Sequence, residues 1–165
     1  MKRFYMVRAI IAFCVSNILV QIGMSGNEYL MYFCYLFLAM LYVNNHSCLR
    51  DLRIEKIRND NIRQEICKEL DLSIERMEFD FSASSIVIIL AMLIPDSWNR
   101  IEVYGHTLID FRLFVIVLLA LSMICHIHFC RTIHKFKLDI ENWLAIEEEE
   151  DRRMRLVEMM ERPKE

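Results

Sequence analysis

The stretch CHIHFCRTIH, residues 125–134, holds three histidines and two cysteines in ten positions at the end of a long apolar run. Imidazole nitrogens and thiolates are the usual ligands of zinc, copper and nickel, and histidine also titrates near neutral pH. In a helix His126, Cys130 and His134 recur every four residues and share one face, a spacing at which two side chains can grip one ion. Cys125 and His128 form an i,i+3 pair on another face. The stretch NNHSC, residues 44–48, offers His46 as a further ligand at the same membrane boundary. A metal ion there is the one cofactor this pattern accommodates, and no organic-cofactor motif occurs. The simpler reading of the same residues is the polar edge of a membrane helix. Cys125 and Cys130 point about 140° apart on a helix, so a disulfide between them would break it.

A second set lies in the first apolar run. Cys14, Asn17 and Gln21 fall at i, i+3 and i+7, with Ser16 beside them. Amides in hydrocarbon must find partners, so this stripe faces protein or water. It serves either as interhelical hydrogen bonding or as the lining of a pore. Arg100 and His106, in NRIEVYGH, make an R-x5-H pair that is similar to the Arg…His signature of HEPN ribonucleases. The resemblance is confined to one loop, which the topology below places outside the cytosol, away from cellular RNA.

These residues must be positioned by helices. The chain has 165 residues, 55% of them apolar and 26% charged, with three Gly and two Pro. High apolar content beside an ordinary charged fraction means segregated segments, and scarce Gly and Pro leave little sign of short strands. The net charge of −3 argues against nucleic acid as partner. The six cysteines lie in apolar runs or beside charged segments assigned to the cytosol, so reduced thiols are expected.

The expected fold is all-α and polytopic, with four transmembrane helices and cytosolic helical extensions. Residues 1–44 form a transmembrane hairpin, crossing at about 5–24 and about 28–44 around the turn SGNE. Residues 45–80 form a cytosolic helical hairpin with a turn at RNDN, 58–61. A second transmembrane pair spans 81–130, crossing at about 81–95 and about 108–130. Residues 131–165 continue as a charged amphipathic cytosolic helix. Its stripe of Phe136, Ile140 and Trp143 is assigned to oligomer contact, and EEEED followed by RR supplies i,i+4 pairs such as Glu148–Arg152.

Lys and Arg crowd the N-terminus, segment 44–80 and the start of the last segment, whereas loops 25–28 and 96–107 hold only Arg100. The positive-inside rule then puts both termini in the cytosol, and a bacterial inner membrane is the expected location. No nucleophile–base order and no phosphate-cradling Gly loop is present, so an enzyme is not expected. Intramembrane charge is expected only at the interfacial Arg8, Asp110 and Arg112, which argues against proton-coupled transport. Two functions remain. One is a homo-oligomeric channel or pore-forming subunit, a class that includes membrane-permeabilising defence effectors. The other is a membrane-anchoring accessory or scaffold whose cytosolic helices dock a protein partner.

Overall fold

The computed structural model describes residues 2–52, 54–103 and 106–161. Four helices dominate: α1 (Lys2–Gln21), α2 (Glu28–Arg50), α3 (Asp60–Leu93) and α4 (Phe111–Glu161). Single 3₁₀ turns occur at Ile54–Lys56 and Asp96–Trp98. The mostly helical class read from the sequence therefore holds. The departure is a strand pair, β1 (Arg100–Val103) and β2 (His106–Asp110), antiparallel, with a bulge where Leu108 has no partner between Ile101↔Ile109 and Glu102↔Thr107.

Local chemistry sets the helix ends. Gly23 has φ +88°, and Gly23 N–H donates to the Val20 carbonyl (2.9 Å) while Met24 N–H donates to that of Leu19 (3.0 Å). This pair of reversed bonds closes α1, and only glycine takes that φ without steric cost. Asn27 caps α2 by accepting from Tyr29 N–H (2.8 Å), and Asn59 caps α3 by accepting from Asn61 N–H (3.1 Å). Thus both turns expected at SGNE and RNDN are real, and an asparagine starts the next helix in each. Pro95 follows the extended Ile94 and ends α3.

At the hairpin end of the bundle Asp110 ties three segments together. Its carboxylate accepts from Gly26 N–H (2.9 Å), from Leu113 N–H in the first turn of α4 (2.9 Å) and from Arg100 Nε (3.3 Å). Gly26 is required because a Cβ there would lie 2.6 Å from Arg112 Cβ and 2.7 Å from Asp110 Oδ1.

Two apolar cores are stacked along the bundle. Nearer the strand pair, Met31, Leu38, Ile88, Val115 and Leu119 meet from α2, α3 and α4. Towards the other end, where α2, α3 and α4 run beyond α1, Leu49, Leu70, Met77 and Ile133 form the second. Arg58 braces this extended end, giving its backbone N–H to Glu147 (3.4 Å) and its guanidinium to Asp151 (2.7 Å). Among the described residues Glu149 and Arg153 form an i,i+4 pair on the surface (3.4 Å).

Among the described residues α4 alone is long and apolar enough by itself to cross a membrane, over Phe111–Val157; α1 carries a shorter apolar stretch, Tyr5–Gln21. Large apolar side chains are nevertheless exposed on every helix, including Ile10 and Ile18 on α1, Phe33 and Met40 on α2, and Ile86 and Leu93 on α3. All six cysteines are free thiols.

Candidate functional site

Each helix carries polar residues on its inward stripe. On α1 these are Arg8 and Ser16, on α2 Asn45, on α3 Asp80 and Ser84, on α4 Ser122 and His126. The i,i+4 spacing of Asp80–Ser84 and of Ser122–His126 puts each pair on one face. All seven are at least nine-tenths buried.

Six of them converge between the two apolar cores. The Arg8 guanidinium pairs with Asp80 Oδ1 and donates to Ser122 Oγ. Ser122 Oγ and Ser84 Oγ share a hydrogen bond of 2.9 Å. His126 Nε2 stands 3.5 Å from Asp80 Oδ2, beyond hydrogen-bond length. Asn45 Nδ2 donates to the His126 backbone carbonyl at 3.0 Å, pinning α2 to α4 at this level. Aromatic rings close one side: Tyr42 stacks on Phe81 at 4.2 Å and meets the His126 ring edge-on at 6.3 Å.

Burying Arg8 and Asp80 takes two charges out of water, and their mutual attraction repays this only with well-made hydrogen bonds. The network is incomplete. Asp80 Oδ2 and both His126 ring nitrogens have no hydrogen-bond partner among the described residues. Leaving such buried atoms without a partner is costly.

These two residues also line a cavity of about 600 Å³ between α1, α3 and α4. Tyr5, Arg76, Cys125, His128 and Phe129 help to wall it, and of these Arg76 and His128 are exposed. Tyr5 OH donates to the Arg76 carbonyl (3.4 Å), and the Ser73 and Thr132 hydroxyls donate to the Glu69 (2.9 Å) and His128 (3.1 Å) carbonyls. The hydroxyl donors on the wall are thus already used.

Arg8, expected at the membrane boundary, is buried inside the protein together with Asp80 and His126. The remaining sequence-derived candidates are dispersed. Of the metal set, His126 is buried, Cys130 half-buried, and His134 and His46 exposed. No three of the described His, Cys, Asp or Glu side chains group closely enough to hold an ion. Cys14 and Gln21 are exposed and Asn17 half-buried, on the side of α1 opposite Arg8, Ala12 and Ser16. Of the stripe assigned to oligomer contact, Trp143 is exposed and Phe136 half-buried. Ile140, at 2% exposure, is covered by its own chain and is removed from that set. Arg100 is engaged by Asp110, and the side chain of His106 lies outside those described.

Sequence reading missed Asn45, Asp80 and Ser122. The available signal was the single acid in FDFSASS, four residues before Ser84, where the sequence turns from charged to apolar. Comparison of the chain with protein-family models, curated proteins and solved structures finds no match.

Proposed function

We propose that this chain is an integral membrane protein, crossing four times with both termini cytosolic, that works as a subunit of a homo-oligomeric channel. The apolar side chains exposed on all four helices support insertion, because exposed apolar surface of this extent needs lipid or protein to cover it. The Lys/Arg asymmetry supports the orientation.

The observation that carries the channel reading is the outward placement of Cys14, Asn17 and Gln21. In a lone protomer the Cys14 thiol, the Gln21 amide and part of the Asn17 amide face lipid, where unpaired polar groups are expensive. A neighbouring copy covers them, and around a closed ring they alternate with water or with each other. The apolar core of Met31, Ile88, Val115 and Leu119 blocks a polar path through a single bundle, so conduction belongs between copies.

Three measurements test this. Cysteines engineered at Asn27 and Ser97 should be labelled from outside the cytosol. Native mass measurement in mild detergent should give a closed oligomer. Liposomes containing the protein should leak ions, and Asn17→Leu with Gln21→Leu should change the leak while leaving the oligomer intact. A monomer with no leak at any protein density refutes the reading.

One observation favours the accessory-scaffold alternative. A groove of about 360 Å³ between α3 and α4 at the extended end is lined by Ile62, Ile66, Phe136 and Trp143 and edged by Glu65, Glu69 and Asp139. An apolar floor with an acidic edge fits a basic amphipathic helix. Retention of the groove's partner with no ion leak would place the protein in that class.

A further inference from the structure

The cavity between α1, α3 and α4 has a graded wall. Met77, Asp80 and His126 are its buried members, and Arg76 and His128 its exposed ones. The partnerless atoms of Asp80 and His126 are themselves shut off from solvent, and the other Asp80 oxygen is held by Arg8. The Tyr5, Ser73 and Thr132 hydroxyls are spent on backbone carbonyls. What an occupant meets is therefore mainly carbon, from side chains such as Met77 and Phe129, with open charge only where the wall is exposed.

That open charge is positive. Arg131 and Lys135 fall at i+3 and i+7 from His128, on the stripe of α4 that also holds Thr132 at i+4. Both are exposed, as is Arg76 on α3. Among the described residues none of these three cations enters an ion pair. The acids Glu65, Glu69 and Asp139 edge the separate groove farther out along α3 and α4.

A soluble anion would meet the cations but leave the carbon wall uncovered. An organic cation would meet Arg76 and find no open carboxylate. An amphiphile with an anionic head and an apolar tail answers both halves of the wall. At about 600 Å³ the space is within the range of about 300–1,000 Å³ that small-molecule sites occupy.

We propose that this cavity binds one anionic phospholipid of the cytosolic leaflet, its acyl chain laid against Met77 and Phe129 and its phosphate on the Arg76 side, with Arg131 and Lys135 adding to the attraction. The inference rests on the four-crossing topology above, in which Arg131 opens the last cytosolic segment and these cations stand at headgroup level. Basic pockets between membrane helices on the cytosolic side suit anionic headgroups, and each Lys or Arg close to them is worth about fivefold in binding. A lipid seated there touches three helices at once and fills space the protein leaves open between them.

The test places the full-length protein in bilayers of equimolar phosphatidylglycerol and phosphatidylcholine, releases it into mild detergent and reads retained lipid by native mass measurement. The protein should keep one phosphatidylglycerol per protomer in preference to phosphatidylcholine. Arg76→Gln and Arg131→Gln should each lower that retention about fivefold, while Arg152→Gln, exposed far out on α4, should not. Thr132→Phe fills the space with the cations intact and should lower retention too, with Thr132→Leu as the milder form should the first not fold. Excess inorganic phosphate should leave the lipid in place. Equal retention of the two lipids, or retention indifferent to Arg76→Gln combined with Arg131→Gln, overturns the inference. Displacement by inorganic phosphate makes this a soluble-anion site and overturns the lipid assignment. Retention lost in these variants, with cysteines at Asn27 and Ser97 labelled from the cytosolic side, leaves the lipid site standing and refutes the topology instead.

Discussion

Replacing Arg8 by Met leaves the Asp80 carboxylate, 5% exposed, without its cation. Oδ2 already lacks a partner, so both oxygens become orphans, and Ser122 loses the guanidinium donor as well. Removing one member of a buried ion pair costs about 3–5 kcal/mol, whereas replacing both by apolar groups of similar volume is often neutral or stabilising. At about 2–4 °C per kcal/mol for a chain of this size, Arg8→Met should lower the thermal midpoint in detergent by roughly 6–20 °C. Arg8→Met combined with Asp80→Leu should regain most of that loss, since Ser122 and Ser84 still bond each other. Thermal unfolding of the four proteins of this double-mutant cycle supplies the measurement. If Arg8→Met is within about 0.5 kcal/mol of the parent, a surface-like value, the pair is solvated and the buried-charge argument fails. If the double variant is no better than the single, the cost lies in lost packing rather than in the stranded carboxylate.

Gly26→Ala forces a methyl group against the start of α4 and should cost about 1–3 kcal/mol, the range for overpacking, read as a lowered thermal midpoint. Asp110→Ala removes three hydrogen bonds at once and should cost about 2–4 kcal/mol by the same measurement, more than Asp110→Asn. At the extended end, the Arg58 hydrogen bond holds the Asp151 carboxyl below its usual value of 3.8. A carboxyl with a depressed folded-state pKa contributes stability that is complete above its unfolded value and disappears as pH falls through the folded one. Hydrogen exchange around 54–58 and 147–151, corrected for intrinsic rates, should therefore stay slow at about pH 5 and quicken only below about pH 3.8. Asp151→Asn should be quick at both.

Helices were legible because apolar runs, asparagine caps and scarce Gly and Pro all act locally. The turns at SGNE and RNDN followed from the same short-range chemistry. The strand pair was not legible, because β1 and β2 hold four and five residues with an irregular register, and their pairing is supported by Asp110 and Asn99 rather than by an alternating pattern. The polar centre was only half visible. Arg8, Asn45 and Asp80 come one each from α1, α2 and α3, and Ser122 and His126 from α4, and the contacts that join them all cross between helices. What unites them is the rotation of each helix about its axis, which packing fixes and sequence spacing does not. His126 was singled out for its neighbours at i+4 and i+8, yet the carboxylate beside its ring belongs to Asp80, on a different helix.

Helix α4 contains neither Gly nor Pro over Phe111–Glu161, so it has none of the usual causes of a kink. It therefore behaves as a lever with His126 near the fulcrum. From His126 to Val157 the arm is about 46 Å at 1.5 Å per residue. A tilt of about 5° there would swing the far end by about 4 Å. That stroke is close to one helical turn, the scale at which packed elements change register. Any small rotation of α4 at the level of the buried polar centre would thus be magnified far out on the charged segment, where the Arg58–Asp151 pair would resist it.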